Sequence, residues 1–181
     1  NWHQARLNDS YSRLFSASNP PDLMAFIDVP AELAKGRIKC KFSYSGSDHS
    51  VAFSKYVPKK IASLKLVKEA HIDYSMKFTD RNVLDRLLEM KGDCDDILIV
   101  KNNRVTDTSY SNIAFFNGKH WATPSDPLLK GTCRARLLSE GKIIEAEIHV
   151  EDLEHYTSFK LINAMLNFEE DEELSVAQIS Q

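Results

Sequence analysis

The stretch ILIVKNNRVTDTSYSNIAFF, residues Ile97–Phe116, has the outline of a β-hairpin. Its apolar start, Ile97–Val100, leads to Asn102–Asn103, a pair that favours a turn, and its end, Ile113–Phe116, is apolar again. Between them, Thr106–Asn112 places a carboxylate and an amide among hydroxyls, where a simple buried strand would have Val or Ile. The pattern predicts two strands and marks the polar residues between them as candidates for a functional site.

The flanking segments alternate between helix and strand. TDRNVLDRLLEMKG, before this stretch, is an amphipathic helix that ends near Gly92. Asn117–Gly118, after it, is a hairpin signal, so KHWAT is the expected next strand. A further helix is predicted from about Thr132 to Gly141, followed by strands in IIEAEIHV and FKLINAML with one or two helical turns between them. The acidic end, NFEEDEELSVAQISQ, is predicted to be a solvated tail.

The first part of the chain predicts a helix over residues 2–16 and a short helix that ends at Gly36. Three strand-like runs follow: RIKCKFSYS, HSVAFSKYV and SLKLVKEAHIDYS. A division near residue 73 is expected, with a small α+β domain over 1–73 and a strand-rich domain over 74–181. Because the first helix opens without a preceding turn or strand, we expect further residues upstream of Asn1, including the first strands of this domain.

The composition argues against several classes of protein. A chain of 181 residues at 43% hydrophobic can bury a sizeable core, and a net charge of −3 gives no basic footprint for nucleic acid. No apolar run approaches the roughly 20 residues of a membrane helix, and no signal peptide is evident. Three scattered cysteines predict reduced thiols in a cytoplasmic protein. The histidines lack paired spacing, so no metal site is predicted, and no G-x-S-x-G motif supports a serine hydrolase.

Two charged residues are candidates for a catalytic or ligand-binding role. Lys77, in MKFTDR, lies where a predicted strand gives way to a helix, a place where side chains project into clefts. It could act as a nucleophile if its environment lowers its pKa, or it could be an ordinary surface lysine. Asp107 could stabilise a nearby cation, or it could simply cap a turn. The sequence alone leaves both alternatives open.

The segment KGTCR could bind a phosphate. Gly131, just before the predicted helix, would leave backbone N–H groups free at the positive end of the helix dipole. The alternative is a simple loop glycine. Arg6, in HQAR, could supply a fixed charge to the same phosphate, or it could be a solvated arginine on a helix.

These features occur in one order along the chain: HQAR, MKFTDR, VTDTSYSNIAF, ATP and LLKGTCR. The set resembles the class IV aminotransferase family, the fold type IV pyridoxal-phosphate enzymes, which include branched-chain and D-amino-acid aminotransferases and aminodeoxychorismate lyase. The resemblance implies an α+β fold, with a small N-terminal α/β sandwich domain, a larger C-terminal pseudo-barrel domain and the cofactor in the interdomain cleft. It also implies a homodimer that acts on a small amine and carboxylate substrate.

The resemblance implies a role for each matching residue. Lys77 would form the Schiff base with pyridoxal 5'-phosphate and shuttle protons, and Asp107 would pair with the pyridine nitrogen. Arg6 would bind the phosphate, while Ser111 and Asn112 would lie near the cofactor. The backbone amides that would help to hold the phosphate are those of Gly131, Thr132 and Cys133. Two positions depart from the family pattern: Asp107 stands where Glu is usual, and Cys133 stands where a hydroxyl residue is usual.

The segment KLINAMLN bears on the reaction. Asn163 and Ala164 resemble the pattern of the lyases, whereas transaminases tend to have G-T or T-S-T at this turn. This favours elimination of pyruvate to give 4-aminobenzoate. An amino-acid transaminase and a cofactor-binding relative without efficient turnover are the alternatives, and INAML could also be only a buried strand. Lys41 and Arg81 are candidates for binding substrate carboxylates, or else surface charges.

Overall fold

A computed structural model describes residues 2–15 and 19–181 of the chain. The chain forms two compact units, Asn1–Lys59 and Lys60–Gln181. The division predicted after residue 73 falls inside the second unit, because the strand β3 (Leu64–Lys68) pairs with β4 (Asp96–Lys101). Within the described ranges, no helix is both long and apolar enough to cross a membrane.

The first unit packs helices on a two-stranded antiparallel sheet. Its elements are α1 (Trp2–Phe15), α2 (Leu23–Phe26), a 3₁₀ turn (Ala31–Leu33), β1 (Ile38–Tyr44) and β2 (His49–Lys55). Leu7 and Tyr11 of α1 bury their side chains against Phe42 and Tyr44 of β1. The predicted first helix is confirmed over its described residues (position 16 lies outside them), and the first two predicted strands are confirmed. The predicted short helix before Gly36 is a single 3₁₀ turn.

The second unit is described throughout and contains two sheets. Besides β3 and β4, its strands are β5 (Arg104–Thr108), β6 (Asn112–Phe116), β7 (Trp121–Pro124), β8 (Ile144–Ala146), β9 (Ser158–Ile162), β10 (Leu174–Ser175) and β11 (Ile179–Ser180). One sheet has the strand order β11-β3-β4-β5, and the other has the order β10-β9-β6-β7-β8. The helices are α3 (Asn82–Glu89) and α4 (Thr132–Ser139), with 3₁₀ turns at Glu151–His155 and Val176–Gln178.

Successive side chains of β4 point to opposite faces of its sheet, and this explains how the layers of the second unit form. Leu98 packs into a core that also contains Ile113 and Phe115 of the other sheet. Ile97 and Ile99 point to the opposite face and pack against α3. On the far side, α4 covers the second sheet through a separate apolar cluster. Because both faces of β4 are covered, its sequence is continuously apolar rather than alternating.

The predicted turns are present. Asn102 and Asn103 both adopt positive φ, 51° and 66°, which matches the hairpin turn predicted from their sequence. Strands predicted from longer apolar runs are shorter than expected. In particular, FKLINAML leaves the sheet after Ile162.

The prediction of a solvated C-terminal tail is wrong. β10 pairs with β9, and β11 pairs in parallel with β3, so the tail completes both sheets. Leu174, Val176 and Ile179 pack against the core between the sheets. The acidic run before Leu174 obscured this in the sequence, because a two-residue strand depends on an available sheet edge rather than on its own pattern.

Candidate active site

Asp107 is the buried acid of the polar cluster between β5 and β6. Its side chain is on β5 and the residue is only 5% exposed. The Asn112 amide donates to Oδ1 at 2.7 Å, and the backbone N–H of Leu129 donates to Oδ2 at 2.9 Å. An ionised carboxylate has about four lone-pair sites, so these two bonds fix its orientation and leave acceptor capacity.

The carboxyl group of Asp107 has an altered acidity. Burial raises its pKa to about 6, although hydrogen bonds from Leu129 and Asn112 and the positive charge of Arg134 oppose the shift. Its ionised form is therefore under-stabilised by the protein alone, and a further cation beside it would favour ionisation. This environment suits a cationic group of a ligand.

Asn112 connects the acid to the segment that precedes α4. Its Nδ2 donates to Asp107 and also to the backbone oxygen of Leu129, at 2.8 Å. Gly131 packs directly against the same side-chain amide. A Cβ added at Gly131 would lie 2.1 Å from Oδ1 of Asn112. The φ of Gly131 is −67°, which any residue adopts, so the glycine is required by this close approach. The predicted glycine, Asn112 and Asp107 thus form one connected group.

The N-terminus of α4 lies directly after this group. Gly131 is its N-cap and provides no side-chain hydrogen bond to the first turn. The first N–H groups of a helix lack partners within it, which makes such a terminus suitable for an anion. Thr132 and Cys133 begin the helix and are buried. Burial raises the pKa of the Cys133 thiol, although Arg136 opposes the shift.

Arg134 is a site residue to which the sequence assigned no role. It is 3% exposed, and its Nη2 donates to the backbone oxygen of Pro124 at 2.8 Å and to Glu145 Oε1 at 2.7 Å. These bonds join α4 to the end of β7 and to the middle of β8. Its position in KGTCR, beside the predicted phosphate-binding glycine, was the one indication of a role in the sequence. The burial that allows Arg134 to link these elements is a property of the tertiary structure.

Asn163 lies against the polar end of β6. Its Nδ2 donates to Ser111 Oγ at 2.9 Å, and its Oδ1 accepts from the backbone N–H of Met165 at 2.8 Å. The second bond forms a local turn, which is why the chain leaves the sheet here. Ala164, the next residue, is exposed. The structure therefore brings together Asn163 and Ser111, two predicted site residues that are far apart in sequence.

Lys77 lies in the loop between β3 and α3, as predicted, and is exposed. Two contacts hold its segment. The Tyr74 hydroxyl donates to the backbone oxygen of Phe78 at 2.8 Å, and Arg81 Nη2 donates to the backbone oxygen of Ser109 at 2.8 Å. The second contact ties the lysine segment to the turn that follows Asp107.

Two further predicted residues are in the first unit. Arg6 is a partly buried residue of α1, and Lys41 is an exposed residue of β1. Their roles toward a phosphate and a substrate carboxylate stay predictions.

The chain matches known proteins over most of its length. The family model described as amino-transferase class IV matches residues 1–168. An uncharacterised protein of Haemophilus influenzae is 38% identical over 167 residues, which is 91% of this chain and 89% of that protein.

Solved structures show the same fold. One, from Haemophilus somnus and described as a candidate 4-amino-4-deoxychorismate lyase, has a TM-score of 0.84 and 39% identity over 91% of this chain and 87% of that chain. Another, from Mesorhizobium loti and described as a candidate amino-acid aminotransferase, has a TM-score of 0.78 and 20% identity over 96% of this chain and 88% of that chain. At that identity the second likeness shows the fold alone.

Proposed function

This chain belongs to the class IV aminotransferase family, with the mixed α/β fold of the fold type IV pyridoxal-phosphate enzymes, and we propose that it is a 4-amino-4-deoxychorismate lyase. The proposed reaction eliminates pyruvate from the substrate and leaves 4-aminobenzoate. The observation that carries the proposal is the hydrogen bond from Asn163 Nδ2 to Ser111 Oγ, because Ser111 directly precedes Asn112, the residue that binds Asp107. The likeness to the Haemophilus somnus protein supports it.

The residues of the second unit fit pyridoxal 5'-phosphate, the cofactor that the family implies. Asp107 is a buried carboxylate with a raised pKa, which suits a protonated pyridine nitrogen. The start of α4, with its glycine cap, suits the phosphate. When bound, the cofactor supplies an electron sink for the charge left by removal of a proton from carbon.

Three residues of this site then have defined roles in the proposed reaction. Lys77 would hold the cofactor, and its amine would take the proton from the substrate carbon that bears the amino group. Asp107 would keep the pyridine nitrogen protonated through its negative charge. Asn112 orients Asp107 through the 2.7 Å hydrogen bond and prevents rotation of the carboxylate.

The two departures from the family pattern are compatible with these tasks. Asp107, although shorter than Glu, is held in place at both oxygens by Asn112 and Leu129. Cys133 packs in the apolar cluster beneath α4 with Leu137, and burial raises the pKa of its thiol. Its contribution to phosphate binding would therefore be its backbone N–H.

Loss of the proton and loss of pyruvate are linked in the proposed reaction. The electron pair of the broken C–H bond makes the ring aromatic as the C–O bond to the enolpyruvyl group breaks. The released enolpyruvate takes up a proton and becomes pyruvate, so the atoms of the substrate are divided between 4-aminobenzoate and pyruvate. A transaminase would begin with the same proton removal but would release a keto acid.

The test uses the purified protein with added pyridoxal phosphate. We expect a visible absorption band that borohydride removes and that Lys77→Ala lacks, and we expect 4-aminobenzoate from 4-amino-4-deoxychorismate. A protein that takes up no cofactor would refute the enzyme proposal. Conversion of the band by D-alanine or leucine, with 2-oxoglutarate as acceptor and no 4-aminobenzoate formed, would instead establish the transaminase alternative. Cofactor uptake without either reaction would establish the third alternative, a binding protein without turnover.

A further inference from the structure

We infer that Arg81 is a positioning residue whose planar guanidinium clamps the Lys77 segment to the turn between β5 and β6. The inference rests on the proposed function, in which Lys77 and Asp107 act on one cofactor. It assigns to Arg81 a role different from binding a substrate carboxylate, the role expected from its sequence position.

The first half of the clamp is the contact with the turn. Arg81 Nη2 donates to the backbone oxygen of Ser109 at 2.8 Å, and its guanidinium carbon lies 3.9 Å from the centre of the Tyr110 ring. The turn is itself rigid: Thr108 and Ser111 are joined by a backbone hydrogen bond of 2.9 Å and by a Ser111 N–H to Thr108 Oγ1 bond of 3.1 Å. Since Asp107 directly precedes Thr108, a group fixed to this turn is also fixed relative to Asp107.

The second half is the contact with the lysine segment. The Arg81 guanidinium lies 5.9 Å from the ring centre of Tyr74, which is a core residue at 9% exposure. The Tyr74 hydroxyl in turn donates to the backbone oxygen of Phe78. Tyr74 and Arg81 therefore hold the segment on both sides of Lys77, which is itself exposed.

The burial and the contacts of the Arg81 guanidinium favour a positioning role over direct binding of a substrate carboxylate. Its side chain is 19% exposed, and its buried Nε has no hydrogen-bond partner among the described residues and lies 3.7 Å from Asp85 Oδ1. A group that bound a substrate carboxylate would need a pair of accessible N–H donors. Here one Nη is used by Ser109 and the planar face is covered by Tyr110. Lysine could replace the charge but not the combination of a planar face and a directed N–H donor.

The clamp is tested first in the cofactor-free protein. Arg81→Gln and Arg81→Lys are compared with Arg86→Gln, a control that removes an exposed arginine from α3, the helix that Arg81 precedes. We expect both Arg81 variants to reduce the NMR order parameters of residues 75–79 and to speed amide exchange at Thr108 and Ser111 by about tenfold or more. The control should match the wild type. An Arg81→Lys protein that also matches the wild type would overturn the inference.

A second test uses the cofactor-loaded protein. We expect Arg81→Gln to lower kcat by about tenfold with KM changed by less than about twofold, and to shift the pH midpoint of the visible band. A large rise in KM with kcat intact would show a substrate ligand and overturn the clamp. If Arg81→Gln fails to fold, Tyr110→Leu takes its place in this test. Tyr110 is 61% exposed, so the substitution removes the stacked ring without disturbing the core, and it should also lower kcat.

The two proposals fail separately. A wild-type protein without a visible band defeats the proposed function, and the cofactor-free measurements still decide the clamp. A wild-type protein with the band, and Arg81 variants that behave as wild type in both tests, defeat the clamp alone.

Discussion

Asn112 and Gly131 are in a contact that permits no side chain at position 131. A Cβ there would lie 2.1 Å from Asn112 Oδ1, well inside any van der Waals distance. Through Asn112 the contact reaches Asp107 and Leu129, so the glycine before α4 and the acid on β5 depend on each other. A defect at either residue should therefore be measurable at the other.

Gly131→Ala should destabilise the protein by about 1–3 kcal/mol, because the added methyl group displaces the Asn112 amide. Urea unfolding measures this change. Asn112→Ala makes room for the methyl group. The double variant should therefore lose less free energy of unfolding than the sum of the losses in the two single variants. Gly141→Ala is the control: no atom of residues 2–15 or 19–181 lies within 4 Å of a Cβ added at Gly141, and only the φ of +67° is unfavourable there. Additive effects of Gly131→Ala and Asn112→Ala would contradict the contact.

Asp107 should make the stability of the cofactor-free protein depend on pH. Its pKa is about 6 in the folded protein and 3.8 ordinarily, so the folded state holds the proton more tightly. Its contribution is fully present below about pH 4 and is lost as the pH rises to about 6, a change on the order of 2–3 kcal/mol. Urea unfolding from pH 4 to 7 measures it.

Asp107→Asn is the matched variant for the pH experiment, because it removes the titrating group at the same volume. The difference in free energy of unfolding between this variant and the wild type should vary with pH over the same window. A constant difference would show that Asp107 titrates at its ordinary pKa. In the loaded enzyme the variant should keep its fold and lose most activity, since the pyridine nitrogen loses its anionic partner.

Arg134→Gln should destabilise the protein by about 1–3 kcal/mol, because it removes the buried guanidinium that donates to Pro124 of β7 and to Glu145 of β8 and so weakens the attachment of α4 to both strands. The same change should raise the pKa of Asp107 further, since Arg134 lowers it in the wild type. Arg136→Gln is the control: its pair with Glu140 is a partly exposed pair within one helix and should contribute about 0.3–0.5 kcal/mol. Equal effects of the two variants, measured by urea unfolding, would contradict the structural role of Arg134.

Ile179→Ala should destabilise the second unit by about 1–2 kcal/mol, because Ile179 packs against the core between the sheets while β11 pairs with β3. Thermal unfolding measures the change. Ile144→Ala, at an isoleucine 45% exposed, should cost less than about 0.5 kcal/mol. If the two substitutions have the same small effect, the end of the chain is a solvated tail after all.

The elements that sequence predicts well here are the ones set by neighbouring residues. The turn at Asn102–Asn103 is confirmed, because φ above zero is a property that asparagine itself tolerates. The helix from Thr132 is confirmed and ends before Gly141, whose φ is +67°. The prediction failed at the tail, because the pairing of β10 and β11 depends on strands far away in sequence.

By itself, the sequence determined the family and the fold, because ordered motifs identify both, and both are confirmed. It also singled out Asp107, Asn112 and Gly131. Only the tertiary structure decided how they work, since Asp107 meets the N–H of Leu129 across 22 residues of chain, and burial, which raises its pKa, is a property of the packed core. The clamp by Arg81 was decided in the same way, across 28 residues, because hydrogen bonds between distant segments form only when packing brings those segments together.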